Sequence, residues 1–216
     1  MAAEFKDREL GQIEALFEPS MPMYRGDYLY RAGDRTDYHY HVRSGMFKTY
    51  AINTCGDEYV TGFFLPGEIL GCAQLDDMHT DSAVALETAT VCELAESDIE
   101  RCADLGLTSA FYKRFAEREV QAAQHHLNLI QSSADARVAG FLIDLSRRLS
   151  HLGRCPNHIP TPMSRTDISN FIGMTLETLS RVISRLVKAG VVQASKNYIE
   201  ILLPDSLQLI GLHMTR

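Results

Sequence analysis

The chain has 216 residues, of which 45% are apolar and 23% are charged, values typical of a globular protein with a hydrophobic core. It has no basic and apolar leader and no run of 18 apolar residues, which predicts a soluble cytoplasmic protein without a membrane partner. The net charge of -7 is unevenly distributed: residues 137–216 carry ten Lys/Arg and five Asp/Glu, whereas residues 1–136 carry 11 and 23. The basic C-terminal part is compatible with a phosphate-bearing partner, and chance variation of surface charge is the alternative.

Five cysteines are scattered along the chain without a C-x-x-C pair. An odd number at wide spacing argues against a disulfide framework, and the missing pairs argue against structural zinc, so no metal site is predicted. We expect most of them to be reduced and buried as small apolar side chains: Cys55, Cys72, Cys92, Cys102 and Cys155.

Residues 1–107 are predicted to form a small antiparallel barrel or jelly roll after an amphipathic helix over residues 8–17. Tyr, Phe, Val, Ile and Thr occur there in short runs, and glycines at positions 33, 45, 56 and 67 recur every 11 or 12 residues. Short strands joined by tight turns produce this rhythm. The predicted strands are residues 37–42, 47–52, 59–65 and 90–94.

Residues 108–134 are predicted to form one long helix, because neither Gly nor Pro occurs between 108 and 133 and apolar residues recur at three- and four-residue steps. About 25 helical residues span about 38 Å, more than a small barrel can cover. We therefore expect the apolar stripe to pair with a second copy of the chain; packing within one monomer is the alternative. The predicted dimer contacts are Phe115, Val120, Ala123, Leu127 and Ile130.

Residues 135–216 have the outline of a winged helix, with a helix over 135–151, further short helices and a strand pair between 191 and 202. Ser164 is a good N-cap with Asp167 three residues on, Gly173 ends that helix, and Thr175 caps the next. A helix, a short turn with glycine and a second helix form a helix-turn-helix.

The second helix of this motif is predicted to read DNA. Leu176, Leu179, Ile183 and Leu186 form its buried face. On the opposite face, near the N-terminus that enters the major groove deepest, lie the predicted base-reading residues Glu177, Ser180 and Arg181. The predicted phosphate contacts are Ser164, Thr175, Thr178, Arg185, Lys188 and Lys196.

Glu177 has a second explanation that involves no DNA. An acid in the first helical turn is stabilised by the helix dipole, and a Glu/Arg pair four residues apart supports a helix. Both effects are compatible with base reading.

Several motifs in order resemble the CRP/FNR family of bacterial transcription regulators. They are LYRAGD at 29–34, RSG at 43–45, GDE at 56–58, LPGEILG at 65–71, LSRR at 145–148 and TLETLSR at 175–181. The resemblance covers residues 28 to about 209 and implies an α+β fold: a cyclic-nucleotide-binding-like β-barrel (jelly roll), a dimerisation helix and a C-terminal winged helix-turn-helix. In the FNR branch, the pattern matched by Glu177, Ser180 and Arg181 accompanies palindromes of the TTGAT-N4-ATCAA type. The resemblance further implies contact with RNA polymerase, at Gly56 and Asp57.

The chain departs from the two best-known branches of that family. Gly71 is followed by Cys72, and Asp81-Ser82 stands where the cAMP-binding branch has Arg-Ser, so cAMP is not expected to bind. Residues 1–54 contain no cysteine, so the four-cysteine iron–sulfur cluster of the oxygen-sensing branch is not expected either. Cys92 matches that branch's barrel cysteine and is expected in the core.

The sequence does not indicate which signal replaces cAMP or the iron–sulfur cluster, and no cofactor is predicted. The middle of the long helix, residues 120–124, carries no charge, which is compatible with a constitutive dimer. Haem is an alternative because His39 and His41 share a strand face and His125-His126 lie on the helix, although buried or solvated histidine is the commoner role. A redox-sensing thiol is another alternative.

Two other classes of function are alternatives to a DNA-binding regulator. One is a ligand-, haem- or redox-sensing module with weak or vestigial DNA binding. The other is an enzyme on a related fold, but no catalytic motif, P-loop or G-x-G-x-x-G pattern occurs, so no catalytic residue is predicted.

Overall fold

A computed structural model describes residues 22–71, 74–95, 116, 120, 122–130 and 133–212. The chain divides into two compact units, Met1–Val120 and Gln121–Arg216. The division into 1–107, 108–134 and 135–216 stays a prediction, and the opening helix over residues 8–17 lies outside the described residues. Among the helices described, none is long and apolar enough to cross a membrane.

The described part of the first unit is built from short antiparallel strands. Their bounds are β1 Tyr28–Tyr30, β2 His39–Ser44, β3 Phe47–Ile52, β4 Glu58–Phe64, β5 Ile69–Leu70, β6 Gln74–Leu75, β7 Met78–His79, β8 Ser82–Ala85 and β9 Thr90–Leu94. One sheet has the order β1-β8-β3-β4, a second has the order β5-β2-β9, and β6 pairs with β7. The buried cluster draws on both larger sheets, through Val42, Phe47, Phe64, Leu70 and Val91, as in a barrel-like fold.

Two of the predicted strands match the structure, and two are displaced by one or two residues. The strands at 47–52 and 90–94 are confirmed as β3 and β9, whereas β2 begins and ends two residues late and β4 begins and ends one residue early. β2 continues to Ser44 because the turn follows at Gly45, whose φ is +77°. A Cβ at Gly45 would lie 2.5 Å from the Cβ of Ala89, so glycine alone fits there.

The second unit combines helices with a small antiparallel sheet. The helices are α1 Ala134–His151, α2 Arg165–Phe171, α3 Leu176–Lys188 and α4 Pro204–Gly211, and the strands are β10 His158–Pro160, β11 Val192–Ala194 and β12 Tyr198–Ile201. The sheet order is β10-β12-β11. The helix-turn-helix and the β11–β12 wing were predicted, whereas β10 and α4 were not. Pro204 lies in the first turn of α4, a position that proline favours, and it is the sequence signal that could have indicated this helix.

The helix-turn-helix packs against one continuous apolar face of α1. Ser133 caps α1 by accepting a hydrogen bond from the amide of Ala136. Its buried residues recur at helical spacing: Ala136, Val138, Ala139, Phe141, Leu142, Leu145 and Leu149. Positions 116, 120 and 122–130 of the preceding segment are also helical, in agreement with the long helix predicted there.

Candidate nucleic-acid interface

The first helix of the motif, α2, begins at a reciprocal cap. The Ser164 hydroxyl accepts a hydrogen bond from the Asp167 amide at 3.0 Å, and the Ser164 amide donates to Asp167 Oδ2 at 3.0 Å. The predicted capping box is thus confirmed. The Ser164 hydroxyl also donates to Asp167 Oδ2 at 2.6 Å. Ser164 therefore has local partners already, and a phosphate contact at this position stays a prediction.

A tight turn brings the chain from α2 into α3. Gly173 has a φ of +63°, which is the left-handed conformation expected after a helix end. Thr175 then caps α3, because its hydroxyl accepts a hydrogen bond from the Thr178 amide at 3.2 Å. The two threonine hydroxyls also bond to one another at 2.9 Å. Both were predicted as phosphate contacts, and the structure brings them together at the start of α3.

The buried face of α3 differs from the predicted one. Leu179, Val182 and Leu186 are buried, whereas Leu176 is 46% exposed. Leu179 and Leu186 are confirmed, the burial predicted for Leu176 is wrong, and Val182 was missed. At about 100° per residue, Leu176 lies about 90° from the centre of the stripe formed by Leu179, Val182 and Leu186, at the edge of that stripe in the first turn. Ile183 lies closer to the centre and is half-buried.

The polar face of α3 presents the three predicted base-reading residues to solvent. Glu177 and Arg181 form an ion pair, and their side chains are 72% and 68% exposed. Ser180 is exposed and donates its hydroxyl proton to the Leu176 carbonyl at 2.8 Å. Neither the acid nor the guanidinium is turned inward, so both can reach a partner that approaches this face.

The predicted cationic contacts fall into two groups. Lys188, in the last turn of α3, and Lys196, between β11 and β12, are exposed. Arg185 instead forms a two-pronged ion pair with Asp135 at the start of α1, with its Nη2 2.7 and 2.8 Å from the two carboxylate oxygens. Both side chains of that pair are partly exposed. Arg185 is therefore held within its own unit, and its predicted phosphate contact competes with Asp135.

Three residues that position this motif were missed in the sequence. Besides Asp135, they are His125 and Arg137, which bond to the backbone carbonyls of residues 171–173. They are separated from their partners by 35 to 50 residues, so no local pattern indicates these contacts.

The predicted polymerase contact lies in an exposed turn of the first unit. Asn53 organises the turn, because its Oδ1 accepts hydrogen bonds from the amides of Cys55 and Asp57, each at 2.9 Å. Gly56 has a φ of +88°, and Gly56 and Asp57 are both exposed. Their placement is compatible with a protein contact.

A buried carboxylate lies inside the first unit at the position where the cAMP-binding branch has a cation. Asp81 is 4% exposed. It accepts hydrogen bonds from the hydroxyls of Tyr30 at 3.4 Å and Thr61 at 3.2 Å. A ligand entering here would meet this carboxyl in place of a guanidinium, and the expectation that cAMP does not bind stays a prediction.

The described cysteines and histidines do not assemble a metal site. Among the residues that the structure covers, no group of three or more His, Cys, Asp or Glu is placed to hold a metal ion. Cys92 is buried as predicted, but Cys55 and Cys155 are exposed, so burial was wrong for two of the three cysteines described. They lie in turns rather than in strands. His41 is buried and His39 half-buried on β2.

A winged helix-turn-helix that exposes an acid and a guanidinium on its second helix, in a chain that also carries a barrel-like unit, defines a class of DNA-binding transcription regulators. Residues 22–104 match the family described as cyclic nucleotide-binding domain, and residues 136–210 match the Crp-like helix-turn-helix domain. The transcriptional activator protein Anr of Pseudomonas protegens is 35% identical over 210 residues, which cover 94% of this chain and 84% of that protein. The chain belongs to the CRP/FNR family of transcription regulators, and it is therefore not an enzyme.

Further relatives agree with this assignment. The fumarate and nitrate reduction regulatory protein of Escherichia coli K12 is 34% identical over 209 residues, covering 95% of this chain and 84% of that protein. The structure of FixK2 from Bradyrhizobium japonicum superposes with a TM-score of 0.80 at 25% identity, covering 92% of this chain and 99% of that chain. The α+β fold predicted from the sequence is thus confirmed.

Proposed function

We propose that the protein binds DNA as a homodimer at an inverted repeat of the TTGAT-N4-ATCAA type. The observation that carries this proposal is the exposed Glu177–Arg181 pair on the polar face of α3, whose opposite face is buried in the unit. Arginine is the commonest bidentate partner of guanine O6 and N7, and a glutamate can accept from cytosine N4. The two side chains, with Ser180, therefore suit a half-site that contains a G·C pair, as TTGAT does.

Phosphate contacts around this reading face position the helix on the duplex. Lys188 and Lys196, which both follow the reading residues in sequence, supply exposed positive charge. Thr175, Thr178 and Ser164 supply hydroxyls and amides at the starts of α2 and α3, where helix N-termini favour an anion. Arg185 joins this set only if a phosphate replaces Asp135 as its partner.

The homodimer is supported by an unpartnered apolar face on the helical segment before α1. Val120, Ala123, Leu127 and Ile130, here called the dimer face, follow one another at three- and four-residue steps, and all are exposed. Leu127 is 49% and Ile130 76% exposed. This is the spacing of a coiled-coil seam, and a second copy matches it by symmetry. An inverted repeat has the same two-fold symmetry. Phe115, the remaining predicted contact, lies outside the described residues.

We propose further that the bound dimer activates transcription through RNA polymerase, with Gly56 and Asp57 at the contact. Relatives that cover most of the chain are named transcriptional activators. The hydrogen bonds of Asn53 hold the exposed turn in one conformation, which presents Gly56 and Asp57 to a partner.

The proposed regulator works without cAMP and without a four-cysteine cluster, as a constitutive dimer. The buried Asp81 and its hydroxyl partners argue against a cyclic nucleotide. An absorbance spectrum of protein purified without oxygen tests the cofactor part. A spectrum with protein absorption alone is expected, whereas a Soret band or an iron–sulfur band would replace this part of the proposal with a haem or cluster sensor.

A gel-shift titration tests the proposed DNA target. The probe is a duplex with the TTGAT-N4-ATCAA repeat, and the control duplex has the same composition with both half-sites scrambled. Specific binding is typically ~10³-fold or more tighter than non-specific binding at physiological salt. Equal affinity for the two duplexes at that salt would reject the proposed site and support the alternative of a sensing module with vestigial DNA binding.

A further inference from the structure

Three consecutive carbonyls at the end of α2 are bonded by side chains from outside the helix-turn-helix. The last carbonyls of a helix have no partner within it. Here the Phe171 carbonyl lies 3.0 Å from His125 Nε2, and Arg137 Nη1 donates to the carbonyls of Ile172 at 3.0 Å and Gly173 at 2.6 Å. His125 belongs to the helical segment 122–130, and Arg137 belongs to α1. Together, His125 and Arg137 are called the turn clamp below.

The His125 ring is fixed by stacking as well as by its hydrogen bond. Its centroid lies 3.9 Å from that of Phe171, and the two planes are 6° apart. Phe171 in turn meets Phe141 of α1 edge to face. Burial lowers the pKa of His125, so the ring is neutral at pH 7 and uses Nε2–H as its donor.

Gly173 shows how closely the turn is held by the clamp. A Cβ at Gly173 would lie 3.3 Å from Arg137 Nη1 and 3.3 Å from Leu129 Cδ2. Leu129 is one helical turn after His125, so the same side of the helical segment reaches the turn twice. The turn leads directly into Thr175 and the recognition helix α3.

The helical segment that carries His125 also carries the dimer face, on its other side. His125, Asn128 and Leu129 are half-buried, whereas Ala123, Leu127 and Ile130 are exposed. If Ala123, Leu127 and Ile130 occupy the heptad positions d, a and d, which face a second helix, then residues 125, 128 and 129 occupy f, b and c. These last three positions face away from the second helix. The helical segment 122–130 therefore contacts the helix-turn-helix with one side and offers the other side to a second copy.

We infer that His125 and Arg137 are positioning residues, which fix each recognition helix relative to the dimer face through the three carbonyls of residues 171–173. The inference rests on the proposed dimeric function. A palindrome requires two recognition helices at a set separation, so loss of the clamp weakens simultaneous binding of both half-sites. A single half-site requires no such separation, so the clamp variants should bind it with nearly the affinity of the wild type.

The experiment uses full-length variants with matched controls. His125→Phe keeps an aromatic ring but removes the hydrogen bond, and Arg137→Gln removes the guanidinium. His151→Phe and Arg147→Gln make the same changes at exposed positions of α1. Fluorescence anisotropy gives the affinity for a duplex with the intact inverted repeat and for one with a single scrambled half-site. Sedimentation gives the monomer–dimer equilibrium.

We expect each clamp variant to lose about tenfold in affinity for the intact repeat, because the effective concentration of the second recognition helix falls. Affinity for the single half-site and dimer dissociation should change by less than about twofold. His125→Gln and Arg137→Lys, which keep a donor, should recover part of the loss, and both control variants should match the wild type. Equal losses on the two duplexes, or no loss on either, would overturn the inference.

A failure of the proposed function can be told apart from a failure of the clamp. If the wild-type protein prefers no inverted repeat, the proposed function is wrong, and hydrogen exchange without DNA then tests the clamp alone. Faster exchange of the amides of residues 173–180 in His125→Phe and Arg137→Gln than in the two controls supports the clamp. Equal exchange rates in all four variants reject it.

Discussion

At the residue scale, the exposed pair of Glu177 and Arg181 separates recognition from folding. The two side chains are about 70% exposed, and exposed ion pairs contribute only ~0–1 kcal/mol to stability. The pair is therefore not needed to hold α3 in place, because Leu179, Val182 and Leu186 do that. Substitutions at the pair should change DNA binding and leave the fold intact.

Arg181→Ala tests this separation. We expect a loss of about 1–3 kcal/mol at the specific site and relaxed preference at one base pair of each half-site. The free energy of unfolding should change by less than about 1 kcal/mol. Anisotropy on a series of single-base variants of the repeat measures the first effect, and urea titration measures the second. Arg147→Ala, which breaks another exposed ion pair, is the control and should bind DNA as the wild type does. If Arg181→Ala weakened all sequences alike, its base-reading role would be wrong.

Single residues were predictable where their partners are close in sequence. The caps at Ser164 and Thr175 each bond to an amide three residues on, so residue type and spacing suffice to indicate them. The burial of Leu176 was predicted wrongly because periodicity identifies a stripe but not where along the helix its packing partners end. The pair of Arg185 with Asp135 was not predictable, since it joins residues 50 positions apart.

At the element scale, we expect α3 and the wing to make different kinds of DNA contact, α3 to bases and the wing to a phosphate. The wing tip between β11 and β12 carries Lys196, which is exposed. A lysine at such a tip suits a phosphate, whose position carries no sequence information. Substitutions in the recognition helix and in the wing should therefore change the dependence of DNA affinity on base sequence and on salt in different ways.

Lys196→Ala should weaken binding to specific and scrambled duplexes by similar factors. One phosphate contact fewer should also reduce the slope of log affinity against log salt by about one. Titrations at several salt concentrations measure both quantities. Lys196→Arg keeps the charge and should preserve the slope. A loss confined to the TTGAT-type repeat would show instead that the wing reads bases.

Breaking the ion pair between α1 and α3 should strengthen DNA binding, whereas Lys196→Ala should weaken it. Asp135 neutralises Arg185, so Asp135→Asn should free the guanidinium for a phosphate and tighten binding to all duplexes. The salt slope should rise by up to about one, while stability falls by less than about 1 kcal/mol because the pair is partly exposed. The double variant Asp135→Asn/Arg185→Gln is the control and should lose the gain. Weaker binding in Asp135→Asn alone would mean that the pair orients α3 rather than withholding a charge.

At the scale of the whole molecule, sequence patterns located the units better than the contacts inside them. Glycine turns and short runs of aromatic and β-branched residues indicated the barrel-like unit, and caps indicated the helix-turn-helix, because these signals are local. The strand order β1-β8-β3-β4 and the placement of β10 beside β12 depend on pairing between distant segments. The net charge of -7 is likewise a whole-chain figure that hides the basic DNA-binding part.

The proposed dimer connects these scales, and Leu127→Glu tests it. Leu127 is half-exposed in the isolated chain, so a glutamate there can be solvated and the monomer should fold. In a seam, two such carboxylates would face one another without solvent, and the dimer should dissociate. Ala122→Glu adds the same charge at an exposed outer position of the same segment and should remain dimeric.

Sedimentation equilibrium and anisotropy on the same samples then connect assembly to recognition. The Leu127→Glu monomer should keep its circular dichroism spectrum but lose at least about 100-fold in affinity for the inverted repeat, because the second half-site no longer binds as part of one complex. Its affinity for a single half-site should stay within a few-fold of the wild type. A Leu127→Glu protein that remains dimeric would place the seam elsewhere, and a monomer with undiminished affinity for the repeat would separate DNA recognition from two-fold symmetry altogether.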